Sequence, residues 1–280
     1  MKKSLGTMKR LAILISVLFI SALLPAGSSI AADKEITIKG STTVLPIAQL
    51  ASEIFMEQNP DVSISVQGGG SGVGIASLID GTTDIADSSR KIKNSEFEKA
   101  KAGGVEPYEI IVAMDGIAVI VHPSNKISTL TKDQIKAIYT GALSNWSELG
   151  GPDGKIVAIS RDSSSGTYEA FENLALDKEK VRADALTTAS NQAVAQTVSQ
   201  TPGAIGYVGL GYLTSKVKAV TVDGVRCTKD TVLSGKYPLS RPLYMYTNGA
   251  PSGAVKEFID FVLGPDGQKL VEEEGFVGLK

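Results

Sequence analysis

Short runs rich in β-formers alternate with helix-periodic runs through most of this 280-residue chain, which predicts an α/β fold on a parallel or mixed sheet. Two other observations agree. Three strand-to-helix junctions are turns of Gly, Ser and Thr. One apolar run, 109–121, is long enough for a buried strand pair or a single bent strand. With 42% hydrophobic residues there is ample material for a core.

In order, residues 35–39 read as a strand, and the helix after them runs through Gln58 and stops at Asn59-Pro60. Residues 62–67 form the next strand, followed by the Gly-rich turn 68–74 and a short helix ending at Asp80-Gly81. Residues 83–86 are a brief strand that stops at Asp87-Ser88-Ser89-Arg90. From Thr131 the pattern turns helical, with Thr131 and Gln134 spaced as a capping box. Trp146 falls in a Gly-rich loop, 143–154, and residues 155–160 are a strand that delivers Arg161. Residues 191–199 are a helix closed by Thr201-Pro202-Gly203, and 204–210 and 236–247 are strands. Ser252 is placed to cap a helix over 254–263, and Pro265 starts a final helix reaching Glu274. There is no internal repeat, and no linker is long enough to separate independent domains.

Residues 1–32 read as a cleaved signal peptide rather than fold. Lys2, Lys3, Lys9 and Arg10 precede 14 apolar-rich residues, 11–24, and a small-residue zone ending in Ala31-Ala32. The apolar stretch falls short of the roughly 20 residues a membrane span needs. No Cys lies near the cleavage zone, so no lipid anchor is expected. The single Cys227 cannot form an intramolecular disulfide and is either buried or an inert loop thiol. Removing the segment takes 28 basic residues against 30 acidic to 24 against 30, a net of −6. That balance argues against nucleic acid or an anionic membrane surface as partner. An anionic ligand would have to be held by local donors. The mature chain of about 248 residues suits one large domain or two lobes.

The segment carrying most information is Arg161-Asp162-Ser163-Ser164-Ser165-Gly166-Thr167, which opens the apolar-periodic run 168–176. A helix N-terminus carries unpaired N–H donors and partial positive charge. Ser and Thr hydroxyls add donors, Gly permits close approach, and a guanidinium supplies a planar fork for tetrahedral oxyanions. Gly40-Ser41-Thr42-Thr43 and Gly68-Gly69-Gly70-Ser71-Gly72-Val73-Gly74 lead into helical runs in the same manner. Each segment alone reads more readily as an ordinary cap or turn; the coincidence of three points to a pocket for a small oxyanion. The glycine run is not a nucleotide-binding P-loop, since no Gly-Lys-Ser/Thr follows, and it misses the dinucleotide fingerprint at Ile75. Gly-x-Ser-x-Gly is absent, and the only histidine, His122, precedes Pro123 as a turn residue. Without His or Cys pairs or a Ca²⁺-loop spacing, no metal site is expected.

These motifs, with Val66-Gln67, Asp84-Ile85-Ala86-Asp87-Ser88-Ser89-Arg90, Gly203-Ala204-Ile205-Gly206-Tyr207 and Tyr237-Pro238-Leu239-Ser240-Arg241-Pro242-Leu243-Tyr244, stand in an order that resembles the phosphate-binding proteins of bacterial phosphate ABC importers. The resemblance covers essentially the whole mature chain. It implies a type II periplasmic binding fold, two α/β lobes joined by a two-segment hinge. The crossings are expected near 116–121 and 239–244, with one lobe of 33–118 plus 243–280 and the other of 119–242. It further implies phosphate contacts from Ser41, Thr42 and Thr43, from Ser71, and from Arg161, Ser165, Gly166 and Thr167. Members of the family use an aspartate after the short strand to accept the phosphate proton. Aligning on Asp84 puts Ser89 at that position and Asp87 two residues earlier, so Ser89 completes the expected set and Asp87 is the rival acceptor.

The expectation is therefore a periplasmic, monomeric solute-binding protein that captures inorganic phosphate and delivers it to the membrane permease of an ABC importer. It needs no cofactor and has no catalytic residue. Another tetrahedral oxyanion, such as sulfate, tungstate or molybdate, is the rival within the class. A secreted phosphate-ester hydrolase is the rival outside it, although no nucleophile–base pair supports hydrolysis.

Overall fold

The structure, a computed structural model, describes residues 34–279. The expected signal peptide, 1–32, lies outside the described residues. The chain begins with β1 (Lys34–Gly40), α1 (Leu45–Gln58), β2 (Val62–Gln67), α2 (Ser71–Ile79), β3 (Ile85–Ser88), α3 (Asn94–Ala102) and β4 (Pro107–Val121). There follow β5 (Thr129–Leu130), α4 (Lys132–Thr140), β6 (Val157–Arg161), α5 (Gly166–Ala175), β7 (Leu186–Thr188), α6 (Asn191–Gln200) and β8 (Ala204–Gly209). Two short strands, β9 (Lys218–Ala219) and β10 (Thr221–Val222), and α7 (Lys229–Leu233) lead to β11 (Ser240–Asn248), α8 (Gly253–Leu263) and α9 (Pro265–Glu273).

The main sheet runs β2-β1-β3-β11-β4-β8-β6-β7, with β9 also beside β4. Strands β1, β2 and β3 are parallel, as are β6, β7 and β8; β11 and β4 join the two sets by antiparallel pairing. The apolar run 109–121 is thus one continuous strand, and it serves two neighbours. Residues 107–116 pair with β11, whereas Ile117–Val121 pair with β8.

The packing divides at the same point along β4. Val112 and Ala113 belong to a core with Ile36, Ile38, Ile85, Leu243 and Met245, covered by α1, α8 and α9. The alternate face of that sheet, through Ala86, Tyr244 and Tyr246, packs Leu78 of α2 and Ala100 of α3. Period-2 alternation on the strands and a buried stripe of Ile47, Ala48, Ala51 and Phe55 on α1 produce this layering. The second core gathers Ile117–Val121 with Ile159, Phe171, Val194, Val198, Ile205 and Tyr207. Phe171 of α5 stacks on Tyr207 at 3.9 Å and meets Tyr139 edge-on at 4.9 Å. Two α/β lobes joined through β4 and β11 result, the two-lobed type II arrangement the sequence resembled.

Most elements lie within two residues of expectation; the strand expected over 236–247 begins only at Ser240, where its pairing with β4 starts opposite Gly116. Strand β3 begins and ends two residues late, because Asp87 pairs with Gly40 and Met245 instead of leaving the sheet. Helix α3, unexpected from the sequence, is opened by Glu96, whose carboxylate accepts from the Lys93 amide at 2.9 Å. Trp146 lies in a single 3₁₀ turn and donates Nε1–H to the Gly203 carbonyl at 2.9 Å. Ser252 precedes α8 but makes no side-chain capping bond. The Thr131–Gln134 box forms in both directions, at 3.1 and 2.9 Å.

Candidate functional site

The hydroxyl-rich segments all emerge from the carboxyl ends of parallel strands, where open α/β sheets form ligand crevices. Ser41–Thr43 follow β1, Ser71 follows β2, and Ser89 follows β3. From the other lobe, Arg161 ends β6, the turn 162–165 enters α5, and Asn191 opens α6 beyond β7. Ser41, Thr42, Thr43, Ser71, Ser89, Arg161, Ser165, Gly166 and Thr167 are all buried, although all but Gly166 are polar.

Direct contacts join the two sets. Thr43 and Thr167 hydroxyls lie 2.9 Å apart across the lobes. Ser71 Oγ accepts from the Ser89 amide at 3.0 Å and meets Ser89 Oγ at 3.4 Å. Both serines press on Gly166, where a Cβ would overlap Ser71 Oγ and stand 2.7 Å from Ser89 Oγ, so only glycine fits. Gly70, at φ +101°, is equally constrained, because a Cβ there would meet the Ser164 carbonyl at 2.6 Å. The Gly72 amide donates to the Ser164 carbonyl at 2.9 Å, Ser164 Oγ donates to the Gly69 carbonyl at 2.9 Å, and Tyr212 OH donates to the Thr42 carbonyl at 2.5 Å.

Of the three helix starts, only α5 is hydroxyl-capped in the strict sense, Ser165 Oγ accepting from Tyr168 N at 3.2 Å. Ser41 Oγ instead accepts from Thr43 N at 3.1 Å inside the turn before α1. Ser71 is the first residue of α2, and its hydroxyl is turned to Ser89.

Arg161 is the charged member of the predicted set. Its Nε donates to the Thr188 carbonyl at 3.2 Å and Nη2 to the Ala189 carbonyl at 3.0 Å, while buried Nη1 has no acceptor. Burial lowers its pKa and Asp162 opposes that, but a guanidinium stays protonated throughout the physiological range. The predicted rivals differ in their surroundings. Ser89 contacts Ser71. Asp87 is buried, its Oδ1 has no hydrogen-bond partner, and burial pushes its carboxyl well above the usual range. Strand alternation puts Asp87 on the face of Ile85, toward the α1 core.

Sequence reasoning missed three buried residues at the centre of the cluster. Arg241 of β11 and Asp115 of β4 are register partners and form an ion pair at 2.8 Å. Asn191 donates Nδ2–H to Thr42 Oγ1 at 3.1 Å and Thr43 Oγ1 at 3.0 Å. For the ion pair the available signal was a charged residue, Asp115 or Arg241, set among apolar neighbours within a strand. At the rim, Arg90 reaches Glu96 at 2.7 Å and Glu169 of α5 at 2.8 Å, and Lys93 also reaches Glu169 at 2.8 Å. His122 Nδ1 lies 2.8 Å from Ser124 Oγ in its turn. Among the described residues no cluster could hold a metal ion, and no helix is long and apolar enough to cross a membrane.

Comparison with known proteins decides the family. Residues 26–266 match the PBP superfamily domain. The phosphate-binding protein PstS of Bacillus subtilis strain 168 is 39% identical over 251 residues, 88% of this chain and 81% of that protein. PstS of Borreliella burgdorferi is 35% identical, over 89% of this chain and 91% of that protein. The chain belongs to the PstS family. A Clostridium perfringens structure described as a phosphate ABC transporter substrate-binding protein with bound phosphate superposes with a TM-score of 0.83 at 36% identity, covering 88% of this chain and 100% of that one. An ABC-type phosphate transport receptor from Vibrio cholerae gives 0.72 at 33% identity, over 86% of this chain and 99% of that one.

Proposed function

We propose that this chain is an extracytoplasmic solute-binding protein that captures inorganic phosphate between its lobes and delivers it to the membrane permease of an ABC importer. Two observations carry the reading: the buried Arg161 Nη1 is a cationic donor without a protein acceptor, and buried hydroxyls from both lobes meet at Thr43 and Thr167. The family relationship supports phosphate as the ion. The lobes are 33–118 with 243–280, and 119–242; Ile117 and Ala118 pack with the second core, so the crossing on β4 begins at Gly116. The ligands are Ser41, Thr42, Thr43, Ser71, Ser89, Arg161, Ser165, Gly166 and Thr167. Ser89 is the contact from the β3 loop, since it touches Ser71 while Asp87 sits on the core face.

Each charge-assisted bond contributes roughly 1.5–3 kcal/mol net. Micromolar binding needs about 8 kcal/mol, so a handful of such bonds suffices after association costs. The protein works as a periplasmic monomer without catalysis, and the ligand changes hands unaltered. Calorimetric titration with phosphate, sulfate and molybdate side by side tests the reading. Phosphate alone should bind tightly, and equal binding of sulfate would sink it. Turnover of a chromogenic phosphate ester would instead favour a hydrolase.

A further inference from the structure

Arg241 and Asp115 stand opposite each other on the two strands that join the lobes, and both are buried. A buried ion pair is costly to desolvate and needs every remaining N–H satisfied. Arg241 meets that condition through the site itself. Nε and Nη2 hold Asp115 Oδ2 at 2.9 and 2.8 Å, and Asp115 Oδ1 accepts from the Leu210 amide at 2.8 Å. Nη1 donates to the Ser89 carbonyl at 3.1 Å and the Gly166 carbonyl at 3.5 Å. Nη2 also donates to Thr167 Oγ1 at 3.1 Å and Thr43 Oγ1 at 3.3 Å. Ser89 and Thr43 belong to one lobe, Gly166 and Thr167 to the other. With all its donors engaged, Arg241 has none left for an anion.

Its effect falls on the hydroxyls. A threonine hydroxyl has one hydrogen and two acceptor positions, and neither a guanidinium nor an amide NH₂ can accept. Thr43 Oγ1 receives Asn191 Nδ2–H and Arg241 Nη2–H, so its own hydrogen is donated to Thr167 Oγ1, 2.9 Å away. Thr167 Oγ1 then receives both the Thr43 hydroxyl and Arg241 Nη2–H, which leaves its own hydrogen to donate elsewhere, and Thr42 Oγ1 receives Asn191 Nδ2–H, which turns its hydrogen away from Asn191. Asn191 is itself fixed in orientation, because its Oδ1 accepts from the Gly209 amide at 3.1 Å.

We propose that Arg241, anchored by Asp115, is a positioning residue that, with Asn191, fills the acceptor positions of Thr43 and Thr167 and so commits the hydroxyls of Thr167 and Thr42 to donate toward the bound oxyanion. Arg241 does so only where the lobes meet, so donor orientation and closure are one event. This rests on the phosphate reading above. It separates two arginine roles: Arg161 touches the anion, whereas Arg241 acts through threonines.

A double-mutant cycle tests it, with phosphate affinity measured by calorimetry on the mature protein. Thr167→Val removes the hydroxyl at constant shape and should weaken phosphate at least about tenfold in the wild type. In an Arg241→Lys background, where the Asp115 pair is kept but the fork is lost, the same change should cost less than about threefold. Additive losses would overturn the proposal, since a merely structural arginine predicts additivity. If melting shows that Arg241→Lys does not fold, the cycle of Asn191→Ala with Thr42→Val carries the same expectation and the same contrary result. Failure of the wild type to bind phosphate would instead remove the underlying reading.

Discussion

Arg161 and Arg90 each stand beside a serine-rich turn at the end of a parallel strand, one in each lobe, and their surroundings are opposite. Arg90 is claimed by carboxylates, Glu96 at 2.7 Å and Glu169 at 2.8 Å, so its charge is spent inside the protein. Arg161 meets only the carbonyls of Thr188 and Ala189 and keeps a buried N–H without an acceptor. Burial without a counter-ion is unfavourable for a cation unless something else supplies the negative charge. That unpaired N–H is the feature on which the proposed anion contact at Arg161 rests. Arg90 and Glu169, by contrast, tie the lobes together at the rim.

The largest effect expected from this contrast is at Arg161. Arg161→Ala should lower phosphate affinity by at least about 2 kcal/mol, or some thirtyfold, with the fold intact. Arg161→Lys should also bind worse, because a point charge does not reproduce the fork. An alanine variant with wild-type affinity would make the two arginines equivalent and remove the β6 turn from the site. Next comes Ser89→Ala, expected to weaken phosphate by about tenfold as the loss of one hydrogen bond to a charged group. If Asp87→Asn weakens it more, the acceptor is the carboxyl.

Glu169 should matter less and in a different way. Glu169→Gln leaves the anion contacts untouched but removes the charge shared by Arg90 and Lys93 across the lobes. Affinity should fall about threefold to tenfold through a smaller population of joined lobes. Unchanged affinity would show that the rim pair contributes nothing to closure.

The smallest effect concerns stability and pH at Asp87. Its folded pKa is raised by burial, so the folded state holds its proton over a range where the unfolded state has lost it. That contribution to stability is full below the unfolded value of about 3.9 and declines as pH rises toward the folded value. Asp87→Asn removes the decline, so the variant's stability relative to wild type should increase with pH above about 4 in urea titrations. Parallel curves for the two proteins would contradict an unpartnered carboxyl.

What the sequence made legible was local. Turns such as Gly40-Ser41-Thr42-Thr43 and Ser165-Gly166-Thr167 announce themselves because cap chemistry and backbone freedom are properties of adjacent residues. The long run 109–121 was visible as strand, but not that its two ends serve different cores. Arg241 and Asp115, 126 residues apart, come together only through the register of β11 on β4. Asn191 looked like an ordinary helix start, and its role depends on threonines 148 and 149 residues away. Asp87 was misread as loop because it stays paired to Gly40 and Met245.

The central claim is that one ion is held by both lobes at once. Small-angle scattering of the mature protein with and without phosphate tests it most directly, with sulfate as the control anion. Phosphate should reduce the radius of gyration and sulfate should leave it unchanged. Identical curves with and without phosphate, under conditions where calorimetry registers binding, would contradict an ion clasped between the lobes.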